Sequence, residues 1–80
     1  MQRYRFQFGD VGGFAGETLE SDHSSGEDAM CDAARTAAEM LKEQAQAGPG
    51  LNGFTITIVG PDGQAVGGIE VLIRGPSDRL

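Results

Sequence analysis

Hydrophobic and polar positions alternate three times along this chain, each time with the two-residue period of a strand that buries one face. Tyr4, Phe6 and Phe8 fall between Arg3, Arg5 and Gln7; Phe54, Ile56 and Ile58 fall between Thr55 and Thr57; Ile69, Val71 and Ile73 form the third set. Gly60-Pro61-Asp62-Gly63 joins the last two sets. It predicts a hairpin built on a type I turn, with glycine in the left-handed position. After Tyr4 to Phe8, the run Gly9-Asp10-Val11-Gly12-Gly13 is turn chemistry, and Phe14 to Leu19 reads as a shorter returning strand. Gly67-Gly68 inside the final strand predicts a bulge.

Between the strands the period changes from two to 3.6. Met30, Ala33, Ala34, Ala37, Leu41 and Ala45 share one helical stripe, while Asp28, Asp32, Arg35, Glu39, Lys42, Glu43 and Gln46 lie opposite. A polar lead from Glu20 to Ser25 precedes it, Ser24 with Glu27 reads as a capping box, and Gly48-Pro49 stops the helix. An alanine stripe lets a helix lie close to a sheet, so the large strand residues must supply most of the packing volume. The expected fold is α+β: a two-layer β-β-α-β-β arrangement with one antiparallel four-stranded sheet in the order 2-1-3-4 and a single long helix across one face. Residues 1–75 form one domain in this reading, and 76–80 a loose tail.

The chain has 80 residues, no tryptophan and one tyrosine, so its core is thin and docking or dimerising would benefit it. Its net charge is -6, the opposite of the balance that phosphate backbones select. One cysteine excludes an intrachain disulfide, and the opening Met1-Gln2-Arg3-Tyr4-Arg5 runs straight into a strand with no signal-peptide segment. Both features favour the cytoplasm. No apolar run approaches the roughly 20 residues of a membrane-spanning helix, so no membrane association is expected.

Few residues remain for chemistry. Cys31 is read as a small buried side chain at the edge of the apolar stripe, since Glu27, Asp28 and Asp32 oppose the thiolate that the helix terminus would favour. His23, among Glu20, Asp22, Glu27 and Asp28, is read as a solvated loop histidine; pairing it with Ser24, Ser25 or Cys31 for catalysis would need a third group and a pocket. One histidine and one cysteine do not make a structural zinc site, Asp10, Glu17, Glu20 and Asp22 lack EF-hand spacing, and no cofactor motif is present. The sheet face away from the helix is the more informative surface. Arg3, Arg5, Gln7, Thr55, Thr57, Glu70, Leu72 and Arg74 are expected to share it, three arginines against one glutamate on an otherwise acidic chain.

The opening Met1-Gln2-Arg3-Tyr4-Arg5-Phe6 carries a family resemblance. With it go Asp10, Gly12 and Gly13, then Glu17 and Leu19 ahead of Ala29, Ala33, Ala37 and Leu41, and finally Ile56, Ile58 and Asp62-Gly63. The chain resembles a family of short uncharacterised bacterial proteins that open Met-x-Arg-Tyr-x-Phe and are classed as a domain of unknown function. The resemblance implies a small α+β domain standing alone in the cytoplasm. It implies no activity and no catalytic residue.

Three functions are compatible with these residues. The leading one is a non-enzymatic module that contacts an unidentified protein or a second copy through the sheet face (Arg3, Arg5, Thr55, Thr57, Leu72, Arg74) or a strand edge. The second is a nucleic-acid-associated regulator of antitoxin-like architecture, which rests on fold analogy. The third is an enzyme or small-ligand carrier using His23 and Cys31.

Overall fold

The computed structural model describes residues 1–10, 15–48 and 50–74. Five elements follow in order: β1 (Gln2–Asp10), β2 (Ala15–His23), α1 (Gly26–Ala47), β3 (Phe54–Val59) and β4 (Ala65–Val71). The strands form one sheet in the order β2-β1-β3-β4, antiparallel at every pairing, with one helix on one face. This is the α+β, β-β-α-β-β arrangement that the alternation predicts. Of the expected turn from Gly9 to Gly13, Gly9 and Asp10 are strand, and the rest, like the expected tail over 76–80, lies outside the described residues.

The hairpin between β3 and β4 forms as its sequence dictates. Gly63 N–H donates to the Gly60 carbonyl at 3.0 Å, Gly60 N–H donates to the Gln64 carbonyl at 2.8 Å, and Gly63 sits at φ +86°, where a side chain would be strained. The irregularity in this pair falls one residue earlier than the glycine pair suggests. Ile58 pairs with Gly67 and Val59 with Ala65, so the extra residue is Val66.

β2 is longer than the expected Phe14 to Leu19, because the polar lead into the helix is itself strand as far as His23. Register explains the extension: Arg5 lies opposite Glu20 and Arg3 opposite Asp22, two pairs of opposite charge across neighbouring strands. The helix is capped by Ser25 rather than Ser24. Ser25 is extended (φ -161°, ψ 168°) and its hydroxyl accepts from Asp28 N–H at 3.1 Å. Asp28 thus stands where the capping box placed Glu27. β4 ends at Val71, so Leu72, Ile73 and Arg74 follow the strand instead of completing it.

The core is Tyr4, Phe6, Phe54, Ile56 and Ile58 from the sheet against Ala29, Ala33 and Ala37 from α1, with Phe8, Met30, Met40, Ile69 and Val71 packed around it. Phe6, Ile56 and Ile58 are the largest fully buried side chains. Burying each is worth about 1.5–3 kcal/mol. The buried stripe is rotated from the expected one: Ala34 and Ala45 are exposed, and Ala29, with Ala33 and Ala37 at four-residue spacing, meets the sheet. Small residues at these positions bring α1 close, and it leans most on β4. A Cβ at Gly67 would lie 2.8 Å from Met30 Sδ, so glycine in β4 is part of the same close approach.

Truncating Ile58, which has no exposed surface, to alanine should cost about 2–5 kcal/mol in urea unfolding. Truncating Leu72, which is 57% exposed, should cost less than about 0.5 kcal/mol.

Candidate functional site

The antiparallel register shows which residues the open face of the sheet carries. Arg3, Arg5 and Gln7 of β1 lie on it, with Thr55 and Thr57 of β3 and Glu70 of β4 beside them. They do not form one cluster. Arg5 pairs with Val59 at the end of the sheet near the β3–β4 turn, whereas Thr55 pairs with Glu70 near the other end, and Leu72 and Arg74 continue beyond Val71 at that far end. Arg74 is therefore separated from Arg3 and Arg5 by the length of β3.

β2 also brings carboxylates onto this face that the expected balance of three arginines to one glutamate omitted. Arg3 Nη1 donates to Glu20 Oε1 at 3.1 Å and Arg3 Nε donates to Asp22 Oδ1 at 3.1 Å. The hydrogen bonds to Asp22 and then to Glu20 hold the guanidinium above its ordinary pKa. Because all three side chains are more than half exposed, water screens the pairs, and they set the register and face more than they stabilise the fold. Beside them, Arg3, Arg5 and Glu20 line a shallow cleft of about 370 Å³ against the turn Gly60-Pro61-Asp62-Gly63. Its charges are mixed. Tyr4 and Phe6 are buried towards the helix, and among the described residues this face carries no exposed aromatic platform of the kind that RNA-reading sheets use.

His23 is placed very differently from the expected solvated loop. It is the last residue of β2, 6% exposed, stacked on Phe6 with ring centroids 5.7 Å apart and meeting Tyr4 edge-on at 5.9 Å. Its Nδ1 lies 3.0 Å from Asp28 Oδ2, and its Nε2, buried with no hydrogen-bond partner among the described residues, is 3.5 Å from Asp32 Oδ2. The sequence did hold a signal for this position. Leu19, Ser21 and His23 keep a two-residue period, but Glu20 and Asp22 between them resemble loop polarity when Arg3 and Arg5 are not yet opposite.

The His23–Asp28 pair has the form of a base and its orienting carboxylate, but no hydroxyl or thiol of a described residue is hydrogen-bonded to the ring. Ser25 Oγ is taken up by the helix cap. Cys31 is exposed, not buried as expected, because the stripe that meets the sheet runs through Ala29, Ala33 and Ala37 and turns Cys31 away. Among the described residues no group of three or more His, Cys, Asp and Glu side chains could hold a metal ion, and no helix is long and apolar enough to cross a membrane. His23 is thus a packing residue that ties the end of β2 to the first turns of α1.

On the helix side the sheet carries a second depression. Phe8, Glu17 and Leu19 of β1 and β2 face Thr36, Met40 and Glu43 of α1 across a groove of about 460 Å³.

The model of a family described as a domain of unknown function (DUF6894) matches residues 3–72. No curated protein and no solved structure matches the chain.

Two outcomes follow from these placements. Replacing His23 with alanine should destabilise the chain by about 2–4 kcal/mol in thermal or urea unfolding, since a buried ring and its bond to Asp28 are lost together. The exposed Cys31 thiol should react stoichiometrically with a thiol reagent in native buffer, at a rate that added denaturant raises little.

Proposed function

We propose, for a chain that belongs to the DUF6894 family, a non-enzymatic role as a protein-contact module that joins a second copy of itself through the outer edge of β4. The observation that carries this reading is the contrast between the two sheet edges. β2 presents Glu17, Glu20 and Asp22 along its nine residues, the kind of charge that keeps an edge strand from pairing. β4 carries Glu70 as its only charge in Ala65-Val66-Gly67-Gly68-Ile69-Glu70-Val71, with Val66 49% and Leu72 57% exposed.

An edge strand offers a row of backbone N–H and C=O groups, and an extended segment that pairs with them continues the sheet. A twofold axis at Gly68 would set each Glu70 against Val66 of the other copy, so two chains of net charge -6 could meet without their one edge carboxylate facing itself. Thr55 and Thr57, half-buried on the open face next to β4, would extend the contact. Arg3, with its carboxylates already in place, would contribute least. The exposed Cys31 supports a reducing, cytoplasmic setting, where a free thiol persists. The acidic charge and the buried Tyr4 and Phe6 favour this reading over a nucleic-acid regulator.

Light scattering across a wide concentration range tests the proposal. The wild-type chain should shift from monomer to dimer, and Val66→Lys with Leu72→Lys should weaken association by about tenfold or more while circular dichroism stays unchanged. A chain that remains monomeric at millimolar concentration contradicts the reading, as does a dimer indifferent to both lysines.

A further inference from the structure

α1 leans towards β4, and the margin between the helix and β2 has two unlike halves. Near the start of α1 it is closed: His23 occupies it, stacked on Phe6 and bonded to Asp28. Two turns further along the helix it is open. Leu19 continues the inward face of β2, opposite Phe6, yet is 48% exposed, and Phe8 and Met40 are only partly buried.

From the open half, we infer that the groove lined by Phe8, Leu19, Thr36 and Met40 and rimmed by Glu17 and Glu43 docks a cationic peptide segment, one apolar anchor residue flanked by lysine or arginine. The groove of about 460 Å³ is roomy enough for one large aliphatic or aromatic side chain. Away from the two rim carboxylates its one polar side chain is Thr36, whose hydroxyl proton is already donated to the Asp32 carbonyl at 3.0 Å. An apolar anchor is the chemistry that such a floor selects.

Charge decides what surrounds that anchor. Glu17 and Glu43 stand on opposite banks, one on β2 and one on α1, and neither forms an ion pair with a described residue, whereas Glu20, Asp22, Asp28 and Asp32 all have cationic or imidazole partners. The last turn of α1 carries no basic residue, so the partial negative charge of the helix C-terminus, one turn beyond Glu43, adds to the same field. A lysine or arginine on each side of the anchor would meet both carboxylates. An acidic segment, or the net-negative surface of a second copy, would be repelled.

The test uses the full chain and two fluorescein-labelled synthetic peptides, one alternating leucine and lysine and one alternating leucine and glutamate. The lysine peptide should raise anisotropy saturably and shift the NMR signals of the Leu19 and Met40 methyl groups, with the glutamate peptide inert. Leu19→Lys, at an exposed site, should weaken binding about tenfold; Glu17→Gln with Glu43→Gln should weaken it about threefold or more and flatten its salt dependence. Val66→Lys, on the other edge of the sheet, should leave it unchanged. Equal binding of both peptides, shifts confined to other residues, or indifference to Leu19→Lys would overturn the inference. So would Leu19 methyl shifts on dilution without peptide, since a second copy would then cover the groove.

Discussion

How near α1 can come to the sheet governs the rest of this structure. Ala29, Ala33 and Ala37 present almost no side-chain depth to the strands, and Gly67 clears the space under Met30 that a Cβ would occupy at 2.8 Å from its sulfur. Dispersion contacts reward close approach and a gap forfeits them, so the helix leans to the β4 side, where Gly67 makes room for it. The volume that alanines do not supply comes from Phe6, Ile56 and Ile58 below them. A helix that leans towards β4 covers β1 through Tyr4 and Phe6 but leaves part of the β2 side open, where Leu19 is 48% exposed.

The β2 side is where the unusual chemistry of the chain lies. At one end the gap is filled by an imidazole, a group that brings an aromatic face for Phe6 and Tyr4 and a ring nitrogen for Asp28. Its second nitrogen is buried beside Asp32 without a hydrogen bond, an arrangement that costs free energy and is offset by the ring packing and the Asp28 contact. At the other end no side chain of a described residue plays that part, so Leu19 is 48% exposed and Phe8 only partly buried. The β4 edge, with Glu70 as its one charge, and the acidic-rimmed groove beside β2 lie at opposite edges of the sheet, so the two proposed contacts would not compete for the same surface.

Much of this was legible in the sequence. The strands of the terminal hairpin, the aromatic face of β1 and the turn at Gly60 to Gly63 all follow from period-two alternation and turn residues, which are local signals, whereas no local signal dictates the sheet order, in which β1 pairs with the distant β3. What escaped were features decided by a neighbour distant in the chain. Glu20 and Asp22 read as loop until Arg3 and Arg5 stand opposite, and His23 reads as solvated until Phe6 lies beneath it. The rotation of the helix stripe that exposes Cys31 depends on which alanines meet the strands, which helical periodicity leaves ambiguous by about one position. The open face was legible residue by residue but not in its charge, because β2 supplied the missing carboxylates.

The lean of the helix towards β4 is the claim on which the open groove rests, and proton–proton distances by NMR measure it directly. The Met30 methyl group should show cross-peaks to the Gly67 α-protons, and the His23 ring protons to the Phe6 ring, while Met40 shows at most weak cross-peaks to Leu19 across an open groove. Strong Met30 cross-peaks to β2, with none to Gly67, would place the helix over the other half of the sheet and contradict the account.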